Sequence, residues 1–111
     1  MGYMRHDAIV VTAFNKKYIT PAIKKAISLG LPVTRMTKEV TNGYHSFLIA
    51  PDGSKEGWGT SNEADDAREA WKEWANKAYK KGTYLEWVHV SFAGDDDRDT
   101  RVVDQAERQD E

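Results

Sequence analysis

Residues 7–13, DAIVVTA, are a run of small and β-branched apolar residues between polar flanks. A run apolar on both faces predicts a central strand. Thr20 and Pro21 then open a helix, with Thr20 as N-cap and Pro21 at the first helical position, where a missing N–H costs nothing. Ala22, Ile23, Ala26 and Ile27 make its apolar stripe, Lys24 and Lys25 face water, and Gly30 and Pro32 end it. Residues 31–41 alternate in part and carry Arg35, Lys38 and Glu39, which predicts an edge strand guarded by charge. Asn42-Gly43 predicts a two-residue hairpin turn with positive φ. Residues 44–50, YHSFLIA, form the returning strand, closed by Pro51-Asp52-Gly53.

A loop, SKEGWGTSN, follows. A capping box, Thr60 with Glu63 or Asn62 with Asp65, starts a second helix that runs to about Lys80. Ala67, Trp71, Trp74 and Ala78 mark its buried stripe. Lys77, Lys80 and Lys81 suit its C-terminal end, and Gly82 stops it. Residues 84–92, YLEWVHVSF, are the last strand. The order β-α-β-β-α-β predicts an α+β fold of ferredoxin-like type. It has a four-stranded antiparallel sheet, both helices on one face, and the first and third strands central. Residues 1–94 make one domain, and residues 95–111 an acidic disordered tail whose short apolar group is Val102-Val103.

The last strand is apolar on both sides. Val88, Val90 and Phe92 are assigned to the helices, which leaves Leu85, Trp87 and His89 on the open face. An apolar open face predicts a partner, either a second copy forming a homodimer or another protein.

Composition narrows the function classes. Absence of cysteine excludes disulfides, thiolate chemistry and Cys-based zinc, and suits a reducing cytoplasm. No apolar run approaches the roughly 18–20 residues of a membrane span, and no signal peptide is expected. Residues 95–111 carry eight acids against three arginines, leaving thirteen bases and ten acids in the first 94. A mildly basic body without a clustered patch argues against nucleic acid.

The loop before the second helix is the first place for chemistry, with Asp52, Ser54 and Lys55 exposed and Trp58 between glycines. It lacks the order of a P-loop, and Glu63, Asp65 and Asp66 already complement the helix terminus where a phosphate would sit. A lysine beside an aromatic ring still suits a small nucleotide, with Tyr44 and His45 close in sequence. The histidines, His6, His45 and His89, share no metal-ligand spacing, so no metal and no cofactor are expected. His89-Val90-Ser91 is one half of the two-histidine phosphoesterase pattern, and neither His6 nor His45 supplies the other half. Tyr44 and Phe47 fall on opposite faces of a strand, which removes the stacking platform of an RNA-recognition sheet.

Most of residues 6–92 resembles a family of small uncharacterised proteins of tailed bacteriophages. The resemblance rests on His6-Asp7 with its apolar strand, on NGYHSFLIAPDGSKEGW, on the Asp66-Ala67-Arg68 helix and on the strand LEWVHV. It implies a phage accessory protein in the host cytoplasm and brings no activity, ligand or catalytic residue. The expectation is a non-enzymatic factor that binds a host protein. The alternatives are a nucleotide-signal binder and, third, a His-dependent phosphoesterase.

Overall fold

The computed structural model describes residues 5–53, 59–93 and 100–106. Its elements are β1 (His6–Ala13), α1 (Lys16–Ser28), β2 (His45–Ile49), α2 (Gly59–Lys80), β3 (Glu86–Phe92) and β4 (Arg101–Gln105). They make an α+β fold with one antiparallel sheet in the order β2-β1-β3-β4. The placement of β2 and β3 either side of β1 is that of a ferredoxin-like fold.

The four strands are not quite the four expected. Residues 31–41 run along the outer edge of β2 but join it as a strand only through a single bridge, Val33 to Ile49. The reason is a miscount between the two segments. Thr34 and Thr37 donate their N–H groups to the carbonyls of Leu48 and Ser46 (3.0 and 2.9 Å), so three residues on one side oppose two on the other. The ladder is bulged, and the threonine hydroxyls fill the gap. Thr34 Oγ1 accepts from Leu48 N–H (2.9 Å) and Thr37 Oγ1 from Ser46 N–H (3.0 Å). The turn that follows is as expected, with Asn42 at φ 63° and Gly43 at φ 77°.

β4 replaces the missing regular edge from the other side. Part of the expected disordered tail, Arg101–Gln105, pairs antiparallel with β3. A free β3 edge offers it a row of unpaired backbone groups. Ala106 N–H then bonds Trp87 O (3.0 Å). Residues 95–99 and 107–111, also assigned to the tail, lie outside the described residues, as does Gly94.

Both helices begin earlier than expected. Asn15 caps α1, accepting from Lys17 N–H at 2.9 Å, so Pro21 lies inside the helix and forgoes one bond near its N-terminal end. Gly30 closes α1 at φ 80°, with Gly30 N–H to Ile27 O and Leu31 N–H to Ala26 O. α2 starts at Gly59, ahead of both capping boxes. It ends the same way, through Gly82 N–H to Tyr79 O and Thr83 N–H to Ala78 O.

Ile9, Val11 and Ala13 of β1, with Phe47 and Ile49 of β2, face Ile19, Ala22 and Ala26 of α1. Trp71 of α2 is the hub. It is fully buried, donates Nε1–H to Ala22 O (3.0 Å), and packs edge-on against Phe47 and Trp87. The buried stripe of α2 is Arg68, Trp71, Lys72 and Ala75, whereas Ala67, Trp74 and Ala78 lie half-buried at its flank. The expected stripe was thus rotated away from two charged positions that are in fact inside.

Candidate functional site

β3 faces the opposite way from the sequence expectation. Register fixes this: Trp87 pairs with Val11 and His89 with Ile9, both buried under the helices. Trp87 and His89 are each only 5% exposed, and Leu85 is buried beside them. All three open-face candidates therefore lie in the core. The open face carries Val88, Val90 and Phe92 instead.

His89 is buried because it is paired. Its Nε2 lies 3.0 Å from Asp7 Oδ1, and its Nδ1 lies 3.0 Å from Lys72 Nζ. An ammonium has protons only to give, so Nδ1 accepts and Nε2–H donates to Asp7. Lys72 also pairs with Glu69 and, at 3.3 Å, with Asp104 of β4. Arg68, one helical turn before Lys72, pairs with Asp65 and lies 3.9 Å from Asp7 Oδ2. Arg5 Nε lies 3.8 Å from the same oxygen.

Burial alone would raise the Asp7 pKa. The hydrogen bond from His89, then the Arg68 guanidinium, with a further contribution from Arg5, outweigh it and hold the carboxyl below its ordinary value. Ser91, two residues beyond His89, is buried on the same face, and its Oγ has no hydrogen-bond partner among the described residues. Arg68 Nε and Nη1 likewise have none among the described residues.

The cluster binds β1, β3, β4 and α2 together. It is poorly suited to acid–base catalysis, because both ring nitrogens of His89 are committed to protein partners. A general base needs a free nitrogen within reach of the substrate proton. Among the described residues no group of three His, Cys, Asp or Glu side chains is placed to hold a metal, and no helix is long and apolar enough to cross a membrane.

The remaining candidates scatter. His45 is buried, with its Nδ1 2.9 Å from Gly43 O, so its ring is turned onto its own hairpin. Asp52 is exposed. Ser54, Lys55 and Trp58 lie outside the described residues. Tyr44, with Ala13, Phe14, Tyr79, Tyr84 and Glu86, lines a cleft of about 220 Å³ at the end of the sheet where β1 stops and β3 starts.

The open face is ordered in rows. Leu48, Val10 and Val88 stand side by side across β2, β1 and β3. Ala8, Val90 and Val102 form the next row, across β1, β3 and β4. His6 and Phe92 pack beyond it, their rings tilted 47° to each other with centroids 5.4 Å apart. On the other side, Ser46, Thr12 and Glu86 form a polar row, with Ser46 Oγ donating to Thr12 Oγ1 at 2.8 Å. Val10 is 44% exposed and Val102 60%, so no described helix covers this surface. No family model, curated protein or solved structure matches the chain.

Proposed function

We propose that the chain is a non-enzymatic accessory protein of a tailed bacteriophage that binds a host protein through the open face of its sheet. One observation carries the binding part of this reading: the row Leu48–Val10–Val88, with Val90 and Val102 beside it, puts apolar side chains together on a face that no described helix covers. Contiguous apolar surface of this kind marks protein interaction sites. The phage context rests on the resemblance over residues 6–92. Commitment of both His89 nitrogens supports a role without catalysis, and the turned-in His45 ring weakens the nucleotide alternative.

The experiment is capture from host lysate, identification, and titration of the purified partner against wild type and a Val10→Lys, Val102→Lys double variant. Both substitutions sit at exposed positions and spare the core. The partner is expected to bind the double variant at least about tenfold more weakly, as for a lysine forced into an apolar contact. Equal affinity for both proteins overturns the reading. So does a wild type that light scattering shows to be a dimer made monomeric by the same substitutions, with no host partner.

A further inference from the structure

We propose that the cleft between the end of the sheet and the C-terminal end of α2 is an aromatic cage for an organic cation, a methylated ammonium group above all. This site is separate from the apolar rows and does not depend on them.

Its lining is unusual for so small a space. Phe14, Tyr44, Tyr79 and Tyr84 supply four rings, and Glu86 supplies a carboxylate. Tyr18 holds part of this wall in place, edge-on to Phe14 at 5.2 Å and to Tyr84 at 5.6 Å, while Tyr79 meets Tyr84 edge-on at 5.5 Å. Edge-on contacts hold these rings in place around the space, and a ring face brought against a cation attracts it.

Next to the cleft, Lys17 Nζ stands 5.1 Å from the centroid of Tyr18, a ring that supports the wall without lining the space. One further feature favours a cation: the exposed carboxylate of Glu86 is among the lining residues. Size sets the class of ligand: about 220 Å³ is below the roughly 300–1,000 Å³ of ordinary small-molecule pockets, but it admits a single trimethylammonium head. Such a head can come from a free small molecule or from a methylated lysine side chain.

The test is a calorimetric titration with tetramethylammonium and, as neutral isostere, neopentyl alcohol. Wild type is expected to bind the cation saturably and the isostere not at all. Tyr84→Ala should weaken the cation about tenfold, the loss of one good cation–π face. Glu86→Gln, at an exposed position that leaves the fold intact, should weaken it about threefold. Choline and a trimethyl-lysine peptide then distinguish the sources, the tighter of the two naming the natural one. Equal binding of the neutral isostere overturns the proposal. So does tetramethylammonium affinity unchanged by Glu86→Gln. A nucleoside monophosphate that binds instead, and more tightly to Glu86→Gln, assigns the rings to base stacking and overturns it as well.

Discussion

At Asp7 a single proton decides how well the polar core holds. The carboxyl is kept below its ordinary pKa of 3.8 by His89, Arg68 and Arg5, so the folded state binds that proton less readily than the unfolded chain. The resulting stability is complete above the unfolded value and is lost as pH falls through the lower, folded one. Asp7→Asn is expected to destabilise the protein by about 3 kcal/mol at neutral pH, the cost of removing one partner from a buried charged set. It should also lose less stability than wild type on acidification from about pH 5 to about pH 2.5. Urea unfolding at both values checks this, and an acid limb as steep as that of wild type would assign the dependence to another carboxylate. None of this pairing was legible in the sequence. Asp7 and His89 are 82 positions apart, and β3 is apolar on both sides, so alternation alone could not choose its inner face. The signal that was present lies on α2: Arg68, Trp71, Lys72 and Ala75 fall at the i, i+3, i+4, i+7 spacing of a buried stripe. Two positive charges on that stripe imply buried acids opposite them.

Among the elements, β4 depends most on its surroundings. All five of its residues are exposed, yet it is held by its ladder to β3 and by Asp104 reaching Lys72 at 3.3 Å. Ending the chain at Ala93 is expected to leave a folded domain in which β3 becomes an edge. Amide hydrogen exchange should show lost protection at the β3 amides that face β4, while β1, flanked on both sides, keeps its own. Protection of β3 unchanged by the truncation would mean that β4 does not pair in solution. Composition hid this strand, because an acidic segment with two valines reads as tail. The other elements declared themselves through local chemistry. Asn42-Gly43 takes the positive φ angles its turn needs, and Gly30 and Gly82 end their helices in the left-handed conformation. The edge strand was misread for a similar local reason: its alternation is genuine, but one extra residue between Thr34 and Thr37 breaks the register.

Across the whole molecule, the packed core and the apolar rows lie on opposite faces of one sheet. The helix side holds Trp71 and Trp87 with Asp7, Arg68, Lys72 and His89, all buried, and the open side holds valines in rows. This division has a measurable consequence. Val10→Thr, Val90→Thr and Val102→Thr keep side-chain shape and add a hydroxyl that open-face water can hydrate, so together they should cost no more than about 1–2 kcal/mol. Trp71→Ala removes a fully buried ring, leaves a cavity against Phe47 and Trp87, and takes a donor from Ala22 O; it should cost about 3–5 kcal/mol. Urea unfolding of the purified proteins compares them, with an unchanged slope required before the midpoints are converted to free energies. For a chain of 111 residues each kcal/mol lost should also lower the melting temperature by roughly 4–8 °C. If the three threonines together cost as much as Trp71→Ala, the open face is already covered in the folded protein. Concentration dependence of that loss would then place a second copy there, because dissociation of a dimer makes apparent stability follow mass action. A small loss, independent of concentration, leaves the valine rows available for a partner.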